Sequence, residues 1–390
     1  MDIVVIGTGV YVSGRGTSGF GTVLPAILEY QRTVGNVRKV HLVGTKQSHA
    51  ADARVKAARL IKDTGVKAEL AIYPIDQEDN EIIYKDVLRH VSRPACAIVV
   101  VPDHLHHEIA RECLNSSLHT LVVKPLTTTV SEAKDLIRIC GDKNLYGAVE
   151  FHKRFDRHNL KLKEIISNGK IGQLLYFTVK YSQKKHVPIE YFSSWVDRTN
   201  IFQYLGVHYV DVIYFVTRAK PKRVLVLAQS GWLRDRNSDA FDIIHATIEW
   251  EMPAGNRFLS FIHTGWIDPE SSTAESDQRI EVVGTEGRLE SNQKRRGMEI
   301  VSDEDGVEDI NPDFCSPYKN HDGLVSYKGY GIDSITTFLR DIADLSSGEI
   351  DMNQLENCRP TFQSSLCSVA VIEAINSGLH MQGAWIDIDF

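Results

Sequence analysis

Short runs of β-branched and aliphatic residues recur along the first 150 residues, at Asp2–Ile6, Val40–Val43, Glu69–Tyr73, Cys96–Val101, His119–Val123 and Tyr146–Phe151. Between them the apolar positions take helical spacing, as at Thr22–Tyr30, Ala51–Ile61 and Asn80–Val91. Ala97–Val101 is apolar at every position, which suits a strand covered on both faces of a parallel sheet. Strand and helix alternating in this way predict a doubly wound α/β domain over residues 1–150.

Beyond Phe151 the period changes. Longer segments alternate apolar with polar: Leu174–Ser182, Arg223–Ser230, Ile243–Glu251, Phe258–Ile267 and Arg279–Val283. Alternation gives a strand two unlike faces, so residues 151–390 predict an α+β domain with a large, mainly antiparallel open sheet. Helices are expected at His158–Asn168, Ile201–Thr217, Ile332–Leu345 and Phe362–Ser377, and a hairpin or surface excursion at the polar stretch Asn292–Asp309. The apolar positions of Ile243–Glu251 and Phe258–Ile267 leave one sheet face in need of cover, so a homodimer or homotetramer is expected.

Composition narrows the function. The 390 residues are 43% hydrophobic and 24% charged, with a formal net charge of -7. Such a balance argues against a nucleic-acid binder or a membrane-surface protein. No apolar run reaches the ~18 residues of a membrane span. The six cysteines, Cys96, Cys113, Cys140, Cys315, Cys358 and Cys367, fall in no zinc-type spacing, so no metal is expected. A reduced, cytoplasmic protein is the expectation.

The first candidate chemistry follows the first strand. Gly7-Thr8-Gly9-Val10 opens a glycine-rich turn of the Rossmann kind, where small residues let a pyrophosphate approach a helix N-terminus. Val12 occupies the place of the usual third glycine, and Ser13–Gly21 runs on as an extra loop before the helix expected at Thr22. After the second strand, Thr45 and Lys46 stand where an NAD-preferring site places a carboxylate for the ribose 2′-hydroxyl. With Ser48 they could hold a 2′-phosphate, so NAD(P) is the expected cofactor, with NADP favoured.

Two further segments lie at carboxyl ends of parallel strands, where ligands of open α/β sheets bind. They are Val101-Pro102-Asp103-His104-Leu105-His106 and Val123-Lys124-Pro125. A desolvated lysine at a strand end would titrate lower than in water and could donate to a substrate hydroxyl.

These segments resemble the glucose–fructose oxidoreductase, inositol dehydrogenase and rhizopine-catabolism family (Gfo/Idh/MocA). Pro102 and His106 match its Thr-Pro-Asn-x-x-His element, with Asp103 in place of asparagine. Lys124-Pro125 matches its Glu-Lys-Pro element, with Val123 in place of glutamate. His152-Lys153-Arg154-Phe155, Gly169–Gly172, Glu281–Leu289 and Arg359-Pro360-Thr361 extend the resemblance over nearly the whole chain. It implies dinucleotide contacts from Gly7, Thr8, Gly9, Val10, Thr45, Lys46, Val101, Pro102, Asp103, His106 and Lys124. It also implies a cis bond before Pro125.

Gly206-Val207-His208-Tyr209-Val210-Asp211 resembles the family's Gly-x-His-x-x-Asp helix, whose histidine is the acid/base group. An aspartate usually stands four residues before that histidine, and Tyr204 takes its place here. Residues four apart share a helical face, so Tyr204, His208 and Asp211 are expected along one side. The resemblance makes the protein a dehydrogenase exchanging hydride with a secondary hydroxyl or keto carbon of a sugar, sugar derivative or cyclitol. Lys124, His208 and Tyr204 are the catalytic candidates. Lys153, Arg154, Trp195, Arg198 and Asp211 join Lys124 and His208 as substrate candidates. The family also contains a transcriptional repressor that only binds and NAD-dependent glycoside hydrolases, so a non-catalytic regulator and a hydrolase are the alternatives.

Overall fold

The computed structural model describes residues 1–75, 78–381 and 383–390. The chain forms two compact units, and neither is one stretch of sequence. The first comprises Met1–Thr127, Ser131–Phe155 and Asp313–Ser365; the second comprises Thr128–Val130, Asp156–Pro312 and Leu366–Phe390. The change of period after Phe151 falls beside the crossing at Phe155. Nothing in a division into 1–150 and 151–390 anticipates the return of 313–365 to the first unit. That return is driven by apolar burial. Ile332, Ile335, Phe338, Leu339 and Ile342 of the helix Tyr330–Ser347 join the core formed by Val23, Leu24 and Ile27. Arg359 secures it with paired bonds of 2.8 and 2.9 Å to Asp341, whose carboxylate also accepts from the Tyr146 hydroxyl at 3.1 Å.

In the first unit six strands pair in parallel: β1 (Asp2–Ile6), β2 (Lys39–Val43), β3 (Leu70–Tyr73), β4 (Ala95–Val99), β5 (His119–Val123) and β6 (Gly147–Glu150). Their order is β3-β2-β1-β4-β5-β6. The chain therefore reverses its winding between β1 and β4, and the crevice beyond their carboxyl ends is where such sheets bind ligands. Both β1 and β4 are buried along their whole length; all their residues are apolar except Asp2, whose carboxylate accepts from Arg38 at 2.7 Å.

The second unit is built on a seven-stranded sheet. β7 (Leu174–Lys184), β8 (Lys220–Gln229), β9 (Ile243–Glu251), β10 (Arg257–Asp268), β11 (Ser276–Gly284) and β12 (Gly287–Asn292) are joined by a C-terminal strand, Trp385–Asp387. The order is β12-β11-β7-β10-β9-β8 and then the C-terminal strand. Only β7 and β10 pair in parallel. Alternation on β9 sends Ile244, Ala246, Ile248 and Trp250 into the core, with Leu162, Val210 and Ile213 from the covering helices. The other face carries half-buried His245, Thr247 and Glu249, with Leu227 and Leu259 exposed.

Two details depart from the sequence expectations. The helix expected over Ile201–Thr217 contains a π turn at Phe202–Gly206 before the α-helix Val207–Thr217. Gly206 makes that turn possible, since a Cβ there would lie 2.7 Å from the Phe202 ring. The polar stretch Asn292–Asp309 is a surface excursion only in part. Gln293 is buried, and Arg296 is sealed against Asp156 with bonds of 2.7 and 2.9 Å. The exposed hairpin is confined to Glu299–Ser302 and Gly306–Asp309.

Candidate functional site

In the first unit the glycine-rich turn brings two strand ends into close approach. Gly7 has φ of 122°, and a Cβ there would sit 1.9 Å from the carbonyl oxygen of Val100. Only glycine lets β1 pass that close to the end of β4. A Cβ on Gly9 would meet nothing within 4 Å, so its backbone borders open space at the strand end. A short helix, Val10–Ser13, starts directly after Gly9. The loop therefore does not run unbroken to Thr22, as the sequence had suggested. Gly14 ends the short helix in the left-handed region, and the main helix begins at Val23. Thr8 is buried with its side chain against Gly44, where a Cβ would come within 2.8 Å of the hydroxyl.

Beyond β2, Thr45 and Lys46 are exposed, and Lys46 caps the helix Gln47–Thr64. Two residues the sequence did not single out sit beside them. Arg15, from the extra loop, places Nη1 2.6 Å from Nδ1 of His49.

The strand ends of β4, β5 and β6 enclose Lys124. The Lys124–Pro125 bond is cis, as the resemblance implied. Burial pulls the Lys124 pKa down to about 7; the carboxylates of Asp103 and Glu150 oppose the fall, and the Lys153 ammonium adds to it. Lys124 is half-buried. Glu150 was not recognised from sequence, although it obeys the same rule as Lys124: a charged residue at the carboxyl end of a buried parallel strand. Its register partner on β5 is Val123. Where the family's motif loses its glutamate, the adjoining strand thus presents one. Glu150 is 2% exposed, and its Oε2 lies 3.0 Å from Nδ1 of His152.

His106 is buried, with Nδ1 2.6 Å from the Pro125 carbonyl and Nε2 2.9 Å from the Val101 carbonyl. It thus lies between the two strand-end loops. Val101 and Pro102 are half-buried beside it, and the buried Asp103 accepts the His104 amide at 2.9 Å. Lys153 and Arg154 lie in the turn His152–Phe155 after β6 and are almost wholly buried, so neither is a solvated surface cation.

In the second unit His208 and Asp211 are both buried on the helix Val207–Thr217, three residues apart. Tyr204 is in the preceding π turn, so the four-residue spacing to His208 is not that of a continuous α-helix. Its ring belongs to an aromatic cluster with Phe192 at 4.7 Å, Trp195 at 6.2 Å and Trp266 at 6.3 Å. The His208 ring lies 6.4 Å from that of Tyr181. Trp195 is half-buried and Arg198 exposed. The same unit carries an open pocket of about 520 Å³ that includes Trp232, Tyr191, Lys185 and Arg236. Arg236 covers the Trp232 ring at 3.8 Å, so that aromatic face is already taken.

A parallel sheet with a glycine turn at its switch point and charged groups at the neighbouring strand ends defines a dinucleotide-binding oxidoreductase unit. Residues 1–151 match the oxidoreductase family with an NAD-binding Rossmann fold, and residues 159–290 match the GFO/IDH/MocA C-terminal domain. The chain belongs to the Gfo/Idh/MocA family of oxidoreductases. A scyllo-inositol 2-dehydrogenase (NADP(+)) of Bacillus subtilis is 26% identical over 183 residues, 45% of this chain and 48% of that protein. The chain thus spans about half the length of that relative. Myo-inositol 2-dehydrogenase of Thermotoga maritima is 25% identical over 273 residues, 69% of this chain and 75% of that protein. The structure of scyllo-inositol dehydrogenase from Lactobacillus casei with bound NAD(H) and scyllo-inositol superposes with a TM-score of 0.68. It is 14% identical and covers 99% of this chain and 98% of its own. Among the described residues no helix is long and apolar enough to cross a membrane.

Proposed function

We propose that the protein is an NADP-preferring dehydrogenase acting on a secondary hydroxyl, or in reverse a keto carbon, of a cyclitol or sugar. The observation that carries this is the enclosed Lys124, whose pKa of about 7 suits proton transfer at neutral pH. The glycine turn at Gly7 and Gly9 fits a pyrophosphate, and a bound nicotinamide supplies the hydride acceptor. The protein's own part is position and proton management. Lys124 hydrogen-bonds the reacting oxygen, with Asp103 and Glu150 setting its charge. His208 takes or returns the hydroxyl proton. Lys153 and Arg154, with Trp195, Arg198 and Asp211 of the second unit, are the candidates for the remaining substrate groups. The names of the inositol dehydrogenases above support a polyhydroxylated ring as substrate. The missing carboxylate beyond β2 supports NADP over NAD.

Initial rates across a panel of inositol isomers and free and phosphorylated sugars, each with NADP⁺ and NAD⁺, test this function. Turnover of at least one polyol, lowered about 10²- to 10⁴-fold by Lys124→Ala, is expected. Full turnover by that variant would remove Lys124 from the chemistry.

A further inference from the structure

The loop Gly14–Gly21 has no part in the function described so far, yet it is tightly built. Lys56, on the helix after β2, donates all three of its ammonium bonds to loop carbonyls: Gly14 at 2.7 Å, Thr17 at 2.6 Å and Gly19 at 2.7 Å. The Thr17 hydroxyl donates to the Gly14 carbonyl at 2.9 Å and accepts the Gly19 amide at 3.2 Å. Arg59 lies over the Phe20 ring at 5.5 Å. Gly14 and Gly21 both have positive φ, and a Cβ on Gly14 would fall 2.2 Å from the Gly19 carbonyl. The loop is a closed ring clamped to the helix Gln47–Thr64, and the residue it holds out toward that helix is Arg15.

Arg15 ends against His49, 2.6 Å from Nδ1. The His49 pKa is lowered by burial first, then by Arg15 and by Lys46, which places three nitrogen bases in one neighbourhood. Asp52 and Asp79 are close enough to act on His49 as well, but Asp79 Oδ1 is engaged by the Gln47 amide at 2.8 Å. Burial of Arg15 disfavours its cation, and Asp52 offsets this only in part. A half-buried guanidinium beside a lysine and an imidazole is costly by itself and is relieved by a multiply charged anion. The cluster lies just past the carboxyl end of β2, where a Rossmann site meets the adenosine ribose.

We infer that the extra loop is a cofactor-specificity device: it presents Arg15, beside Lys46 and His49, to the 2′-phosphate of NADP(H). The assignment rests on the NADP reading above and adds residues to it. The guanidinium supplies a bidentate phosphate contact, and Lys56 holds the loop in the receptive shape before the ligand arrives.

Calorimetric titration of the full-length protein with NADPH and with NADH tests it, with thermal unfolding as a check on the fold. Arg15→Gln should weaken NADPH binding about tenfold to a hundredfold and NADH binding less than about twofold. Lys56→Met, which touches no phosphate but frees the loop, should weaken NADPH selectively and by less. If the wild type binds neither dinucleotide, the dinucleotide reading and this one both fall. If it binds NADH more tightly, the 2′-phosphate site falls with the NADP preference. If it prefers NADPH and Arg15→Gln leaves that preference unchanged, the loop assignment alone is overturned.

Discussion

Lys124 offers a quantitative test, because named neighbours push its charge in opposite directions. Its pKa falls from 10.5 to about 7, largely through burial. At 1.36 kcal/mol per unit this corresponds to about 5 kcal/mol favouring the neutral amine. Below pH ~7 the group is an ammonium that can only donate; above it the neutral amine can also accept and so assist His208 in removing the hydroxyl proton, and polyol oxidation should rise through that pH. Glu150→Gln removes a carboxylate that favours the ammonium. The ascending limb should then move to lower pH by about one unit, since an opposite charge nearby is worth about 1–3 units. Asp103→Asn should act in the same direction. Lys153→Met removes a like charge and should move the limb to higher pH. The assay is the pH profile of kcat/KM for polyol oxidation, which reports groups of the free enzyme. Any group near these charges would move in the same senses, so Lys124→Ala is the control: loss of the limb in that variant assigns it to Lys124. If Glu150→Gln leaves the limb in place or moves it upward, Glu150 does not set the charge of Lys124.

The same shift has a consequence for stability. The folded pKa lies below the unfolded value, so the buried ammonium destabilises the fold below pH ~7, and the penalty fades as the pH rises toward 10.5. Lys124→Met should therefore raise Tm most at pH 6 and progressively less toward pH 10, the stabilisation reaching at most about 5 kcal/mol; a gain independent of pH would refute this. His208→Ala should lower turnover about 10²- to 10⁴-fold with NADPH affinity unchanged in a fluorescence titration, and undiminished turnover would make the histidine structural. Arg296→Met leaves the Asp156 carboxylate buried without its 2.7 Å partner and should cost about 3–5 kcal/mol in urea unfolding; a cost under 1 kcal/mol would show that water reaches the pair. Light scattering at micromolar protein should give a homodimer or homotetramer through the sheet face bearing Leu227 and Leu259, and a 43.8 kDa particle would refute that.

Period carries most of the fold, because a buried parallel strand and a half-covered antiparallel strand need different residues. β4 had to be apolar throughout, β1 apolar from Ile3 onward, and β9 had to alternate; these patterns are visible without coordinates. What period cannot carry is the destination of a segment. The helix Tyr330–Ser347 has an ordinary apolar face, and nothing in its spacing says that this face joins the core of the first unit. The π turn at Phe202–Gly206 is hidden for a related reason. The Phe202 ring packs over Gly206 within it, a contact of shape that leaves the helical period of the sequence unchanged.

The candidate site divides along the same line. Lys124 was legible because a charge directly after an apolar strand conflicts with local burial, and such conflict marks function. Glu150 made the same conflict on β6, but its relation to Lys124 depends on register. Only the pairing of Val123 with Glu150 shows that a carboxylate missing from one strand is present on the next. His106 is read from a motif as a ligand contact, and the structure adds that its ring lies between the carbonyls of Pro125 and Val101, to one of which a neutral imidazole can donate. Arg15 is the extreme case, since it lies 34 positions from His49 and meets it in a loop whose carbonyls Lys56 gathers. A side chain whose role is set by a partner far along the chain leaves its own neighbourhood in the sequence unmarked. Motif resemblance therefore located the groups expected to touch the reacting atoms better than the groups that set their charge or choose the cofactor.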